Sequence, residues 1–471
     1  MVTLPLKVMV DKDNTKVLFA EANSDFVNVL LSFLALPLGI FARKFYVKSL
    51  YTLYRGLYNM DESYFSVRGA KEMLQNPRSC FRAECRKLVL DITGSLPNDF
   101  YVCSDKECPK TEAYKNVSMY SDIATCACGR SLSRKISVGE SVDGAFVTNP
   151  SSFIVTGDLR VVPILSGLFQ TLSNLGIAVT QGASMRSMSF YIDEIEKLFE
   201  LCLTSATPLD DMIFKKTGLS STVSTAAKPE PGINLLRHIP KDKAHSREIV
   251  LKVFLQESTN KFLYAEAMDD FVDLLFSFLT IPMGGVEVLL GGNTGFTGIH
   301  NLYRSVCDDF HDKCFRTPEI RNRLIDAKLP HGYISKNQFL PLSEDSIPNL
   351  YYSSVNWRMD LVIKNTSFDE KVGSMINQFK YSRELFVKKH TKCIVTDDLK
   401  VDPCLSTAFF ILNKLGIPLS DVKEMELNIG LEEALCILKA SLTSTTVLTD
   451  VLVKPMLTKR QKLDKQTKQE P

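Results

Sequence analysis

The 471 residues carry almost no net charge, 56 Lys and Arg against 54 Asp and Glu leaving +2. Such a chain has no global attraction to nucleic acid or to an anionic membrane, so either contact would need a local patch. A long apolar run is also missing. The longest, Val29–Ala42, is interrupted by Ser32, Pro37 and Gly39 and falls short of the ~20 residues that cross a bilayer. Met1–Val17 has no basic start followed by an apolar core, so no secretory signal is expected. Histidine is absent before His238, and there is no Gly-Lys-Ser/Thr, nucleophile elbow or metalloprotease helix.

What remains is 45% hydrophobic and 23% charged residues, ordinary for a soluble globular protein long enough for more than one domain. Twelve cysteines without a secretory signal point to reduced thiols or metal ligands rather than disulfides. The Asn116-Val-Ser and Asn365-Thr-Ser matches to a glycosylation site are then chance. The expected location is cytoplasmic, or nuclear if the basic run Lys459-Arg460-Gln461-Lys462 serves import; a solvated tail is the simpler explanation, since such short runs are common.

Self-comparison gives the organisation. Lys7–Gly39 aligns without gaps to Lys252–Gly284 and matches at 16 of 33 positions; Ile154–Ile177 aligns to Ile394–Ile417 at 14 of 24. Leu53-Tyr54-Arg55 recurs as Leu302-Tyr303-Arg304, and Leu203-Thr204-Ser205 as Leu442-Thr443-Ser444. The same order appears twice, far beyond the period of a solenoid. We therefore expect a first repeat over 1–219, a polar connection over 220–246, a second repeat over 247–456 and a polar basic tail over 457–471.

In each repeat two β-rich runs flank a polar turn, here Asp11–Thr15, and read as a hairpin. Asp25 then stands where an N-cap belongs, before a helix apolar nearly all round that ends at Pro37. Ile192–Leu203 and Leu431–Leu442 read as amphipathic helices. Strands and helices do not alternate regularly. The expected fold class is α+β: two homologous tandem domains, each a small antiparallel sheet packed with helices, with a zinc-ribbon-like insert in the first, over about 101–135.

The pattern K-V-x-V, A-E-A, D-F-V, L-x-S-F-L and P-x-G runs over Lys7 to Gly39, then I-V-T-x-D-L from Ile154 and L-T-S from Leu203, and several of these motifs occur twice in order. It resembles the plant family known as domain of unknown function 674 over nearly the whole chain. The resemblance implies a plant protein with tandem copies and implies no activity.

The best chemical signal is Cys103-x4-Cys108 and Cys126-x-Cys128-Gly129, with 17 residues between the pairs. Two cysteine pairs on separate turns can give four thiolates to a tetrahedral zinc ion, although one pair is wider and the other narrower than in an ordinary ribbon. Cys80 and Cys85 stand upstream as substitutes. No cysteine falls between Phe315 and Lys392, so the second repeat cannot copy the site.

Three functions compete. A non-catalytic binding or scaffold protein with an unknown protein partner fits the missing catalytic constellation. An enzyme would use the duplicated carboxylates Glu21, Asp25 and Asp158 with Glu266, Asp270 and Asp398, which would have to converge. Caps and turns explain the same residues. Nucleic-acid binding would use Arg78, Arg82, Arg86, Lys87, Arg130, Arg134 and Lys135 beside Phe81, Tyr101 and Tyr114. Asp11-x-Asp13-x-Thr15 fails as a calcium loop, with Lys16 in place of the needed Gly and Ala22 in place of Glu. The glycines at 284, 285, 291, 292, 295 and 298 read as a flexible loop. His311 and Cys314 read as an exposed His beside a buried Cys.

Overall fold

β1 (Leu4–Val10) alternates buried Leu4, Leu6, Val8 and Val10 with outward residues, the period of a strand with one face in the core. It pairs antiparallel with β2 (Val17–Asn23). The turn between them is tied by the Asp11 carboxylate, which accepts from the Thr15 and Lys16 N–H groups at 2.7 and 3.0 Å. In this computed structural model the described residues are 3–85, 88, 99–108, 116–140, 145–148, 151–177, 182–216, 247–334, 338–345, 350–355, 358–363, 378–379 and 386–459. The expected connection over 220–246, Asn365 and the tail beyond 459 lie outside them.

The chain is α+β. β3 (Asp99–Cys103), β4 (Asn116–Val117) and β5 (Leu132–Glu140) form the insert, and β6 (Ser152–Val155), β7 (Val161–Pro163) and β8 (Ser184–Phe190) return to the first sheet. The second half supplies β9 (Ile249–Gln256), β10 (Phe262–Ala267), β11 (Leu350–Val355), β12 (Arg358–Ile363), β13 (Gln378–Phe379), β14 (Cys393–Val395), β15 (Val401–Asp402) and β16 (Val422–Ile429). Two five-stranded sheets result, with orders β7-β6-β2-β1-β8 and β15-β14-β10-β9-β16. Both are antiparallel throughout and have the same topology. A third sheet, β11-β12-β5-β3, joins the insert to a hairpin from the second half.

The helix Ser24–Ala35 buries every residue except Asp25, as its all-round apolar sequence demands. Its cap is not Asp25. Asn23 has the extended conformation of a cap and its side chain accepts from the Phe26 N–H at 3.0 Å, which places Asp25 in the first turn. In the second half the helix Asp269–Phe278 begins after Met268 without a side-chain cap. Asn28 and Asp273, equivalent in the aligned blocks, do the same task in the interior. Asn28 Oδ1 accepts from Phe146 and Val147 N–H at 2.8 and 2.9 Å; Asp273 Oδ1 accepts from Phe386 N–H at 2.5 Å.

The halves meet about the two Pro-x-Gly segments. Pro37 faces Pro282 in an antiparallel bridge. Leu38 N–H donates to Ile281 O at 2.9 Å and Met283 N–H to Leu36 O at 2.9 Å, two bonds related by the alignment offset. A Cβ on Gly39 would stand 2.9 Å from Leu279 O, and one on Gly284 would stand 3.2 Å from the equivalent Leu34 O. Both glycines permit close backbone approach. Further out, the helix Lys48–Asn59 packs on the helix Leu431–Thr443 and on β15, while the helix Thr297–Arg304 packs on the helix Ile192–Cys202. One continuous apolar core therefore contains residues of both halves, from Leu4 to Val453.

Gly284 and Gly285 lie in the helix Met283–Leu289 and Gly298 in the helix Thr297–Arg304, so the expected flexible loop is confined to the turn between them. Gly291, Gly292 and Gly295 have positive φ there. No helix of the described residues is long and apolar enough to cross a membrane.

Candidate metal centre

The insert is built as two tight turns brought side by side by one strand pair. β3 and β5 are antiparallel, and a bulge between Val102 and Cys103 turns the end of β3 out of register as Cys103 pairs with Leu132. The second turn is a narrow hairpin tip. Thr125 bridges Ser131, Cys126 N–H donates to Arg130 O at 2.8 Å, and Gly129 N–H donates to Cys126 O at 2.9 Å. Gly129 sits at φ +81, which glycine adopts without penalty. Ser104 N–H donates to Ser131 O at 2.9 Å and locks one turn against the other.

This brings Cys103, Cys108, Cys126 and Cys128 together, with their sulfurs all within 4.8 Å of one another. Cys103 Sγ and Cys128 Sγ are 3.4 Å apart. Four thiolates at ~2.3 Å from a tetrahedral ion would stand about 3.8 Å apart, so only small side-chain adjustments separate this cluster from a tetrathiolate site. Cys103, Cys108 and Cys126 are buried and Cys128 is exposed. With Leu132 the three buried cysteines form a small cluster of their own, separate from the main core.

The electrostatics are those of crowded thiols. Burial, before any hydrogen bond, raises the Cys103 thiol; burial and the neighbouring sulfurs push Cys108 up to about 12. The Arg130 N–H holds Cys128 below the usual thiol range. Backbone N–H groups of Asp105 and Arg130 reach the Cys103 and Cys128 sulfurs, the donors that a bound thiolate needs. Arg134 Nε donates to Cys103 O at 3.0 Å and braces the same turn.

The other marked residues are placed elsewhere. Cys80 Sγ donates to Lys328 O at 3.1 Å and Cys85 belongs to the main core, so neither joins the cluster. Arg78 and Arg82, expected on a basic face, are 3% and 8% exposed, each over an aromatic ring, Tyr120 and Phe100 respectively. Lys135 pairs with Asp99 at 2.7 Å. Arg86, Lys87 and Tyr114 lie outside the described residues.

The carboxylates do not converge. The register Asn23↔Ser152 and Ala20↔Val155 puts Asp25 beyond one end of the β2–β6 pair and Asp158 beyond the other. Asp158 closes a turn, accepting from Thr156 Oγ1 at 2.5 Å and Asn301 Nδ2 at 2.9 Å; Asp398 accepts from Thr396 Oγ1 at 2.5 Å in the matching turn. Glu21, opposite Lys7 on the neighbouring strand, alternates with core-facing Ala20 and Ala22 and so faces outward. His311 is exposed beside buried Cys314.

Sequence reasoning missed a partly buried ionic group joining the residues before the insert to the second half. Arg323 Nη1 donates to Glu84 Oε1 at 2.9 Å, its Nη2 is 3.1 Å from Asp345 Oδ2, and the guanidinium lies over Phe81. Its members are spread over more than 250 residues, so no local spacing marks it.

A family model described as protein of unknown function (DUF674) matches residues 1–430 and, again, 372–471. No curated protein and no solved structure matches the chain.

Proposed function

This chain belongs to the DUF674 family, and we propose that it is a non-catalytic binding protein whose insert is held in shape by one structural zinc ion on Cys103, Cys108, Cys126 and Cys128. The observation that carries the reading is the mutual distance of the four sulfurs on two interlocked turns. Thiolates are soft ligands that favour zinc over magnesium or calcium, and four of them leave no open position for water. Elemental analysis of protein purified without chelator should find about one zinc per chain, lost in Cys103→Ser/Cys108→Ser. Because the cluster is separate from the main core, the variant should stay folded while the insert becomes a protease target. Well-folded wild-type protein without metal would sink the proposal.

The binding role is supported by exposed apolar side chains at corresponding places in the two halves. Leu165 and Phe169 are 62% and 87% exposed; Leu405 and Phe409, 240 residues later, are 47% and 64% exposed. In each pair the leucine precedes, and the phenylalanine lies in, a short helix covering the outer face of its sheet, Leu168–Asn174 or Thr407–Leu415. Exposed aromatics of this kind suit a protein partner. A photo-crosslinking side chain placed at 169 or at 409 in the native cell should join the chain to another protein. Absence of any adduct from both positions would remove this part of the reading.

A further inference from the structure

A cavity between the helix Ala70–Gln75 and the insert is lined by a charge that has no counter-ion among the described residues. Arg78 is 3% exposed, and its Nη1 is buried without a hydrogen-bond partner. Its backbone N–H is engaged, donating to the Tyr333 hydroxyl at 3.0 Å, and its guanidinium lies 5.1 Å from the centre of the Tyr120 ring. The Tyr120 hydroxyl is buried beside the Tyr333 hydroxyl and completes no well-formed hydrogen bond. Burial raises its pKa well above the ordinary tyrosine value, so at neutral pH it keeps the proton it could donate. Arg78 and Tyr120 line the same cavity of about 40 Å³, walled as well by Glu72, Asn76, Tyr101 and Ser121.

Among the described residues, the acceptors nearest to Arg78 are committed elsewhere or lie in water. Asn76 Oδ1 accepts from Arg43 at 2.5 Å, and the Ser121 hydroxyl donates to Asp122 at 3.1 Å. Beyond Tyr101, Asp99 and Lys135 neutralise each other in an ion pair at 2.7 Å. Glu72 is exposed at the rim and makes no ion pair with Arg78. A buried cation left in that state is costly, and its planar fork matches an oxyanion. One water needs ~10–15 Å³ of such space, so this cavity admits roughly three oxygen-sized atoms, the end of a carboxylate or phosphate. The adjoining cleft, about 360 Å³, shares Gly69 and carries Arg68, Lys71 and Lys388 against Glu62, an excess of positive charge that would draw an anion inward.

We propose that this cavity binds the oxyanion end of a small molecule, with the Arg78 guanidinium as its anchor and the Tyr120 hydroxyl as second donor. The assignment does not rest on the metal proposal, because every group it uses is distinct from the four cysteines.

Titration calorimetry on the full-length protein with inorganic phosphate, and separately with acetate, tests it and tells the two oxyanions apart. Saturable binding is expected for at least one of them. In Arg78→Met, which removes an unpaired charge and keeps the bulk, affinity should fall at least about tenfold. In Tyr120→Phe, which removes only the orphan hydroxyl, it should fall roughly three- to tenfold. Binding by neither anion would overturn the proposal, since the cavity would then be filled by water. Equal affinity in wild type and Arg78→Met would do the same by placing the anion elsewhere. A Glu72→Gln variant that gains anion binding absent from the wild type would make Glu72 the internal counter-ion and would also overturn it.

Discussion

Gly39→Ala is expected to lower the stability of the whole chain by about 3 kcal/mol, although it adds a single methyl group. That methyl would stand 2.9 Å from Leu279 O and 2.9 Å from Pro77 Cγ. The first is a backbone atom that accepts the Gly39 N–H at 2.7 Å, so it cannot retreat without losing a hydrogen bond. The ring of Pro77 blocks the other way out. Gly284→Ala should cost less, because its nearest backbone oxygen, Leu34 O, is at 3.2 Å. Gly176→Ala supplies the contrast. Gly176 has φ +66 and nothing within 4 Å of a built Cβ, so only the left-handed backbone penalty of ~1–2 kcal/mol remains. Denaturant midpoints should rank the three losses Gly39 > Gly284 and Gly39 > Gly176. A Gly39 variant as stable as wild type would mean that the halves do not cross as closely as described.

Asp273→Asn should stabilise the protein, and the gain should grow with pH. Burial, the dominant cause, pushes the Asp273 carboxyl up to about 7, although the amides of Phe386 and Val387 oppose it; Asp269 and Asp270 push the same way as burial. The unfolded carboxyl has a pKa of ~3.9. Below pH ~4 both states carry the proton and the group is neutral in its effect. Between ~4 and 7 the unfolded state ionises first, so stability falls as pH rises, and above 7 the loss is complete. Three units correspond to roughly 4 kcal/mol as an upper bound. Asparagine cannot ionise, and Asn28 already makes the equivalent bonds to Phe146 and Val147 in the first half. The variant should therefore gain about 2–4 kcal/mol at pH 8 and almost nothing at pH 4. Chemical denaturation at the two pH values decides it: a gain equal at both, or a loss at pH 8, contradicts the assignment.

The parts of the fold that obey a local period were legible in the sequence. Two β-rich runs around the polar turn Asp11–Thr15 marked a hairpin, and the largely apolar stretch after Asp25 marked a central helix. Spacing alone found the four cysteines, because two short turns can be read without knowing what they pack against. The cap moved from Asp25 to Asn23 because two residues with similar side chains compete and the backbone angles decide. Arg78 and Arg82 beside aromatics looked like a surface, since composition gives no direction; the rings turned out to be covers for buried cations. Pro37-Leu38-Gly39 read as a helix stop, whereas its glycine answers to a backbone more than 200 residues away. Nothing in the sequence set Asn28 and Asp273 apart from the other polar residues of these helices, such as Ser32 and Ser277, and only their hydrogen bonds explain why they are polar.

The packing of Lys48–Asn59 against Leu431–Thr443 also sets a timetable for synthesis. Ser49 hydrogen-bonds to Ser444 O, 395 residues further along the chain. At ~5–20 residues per second the ribosome takes roughly 20–80 s to deliver that partner. During the interval the apolar side of the early helix, with Leu50, Leu53 and Leu57, waits without its final cover. The early helix therefore lacks its late partner for most of translation, and a slow or stalled ribosome lengthens that interval.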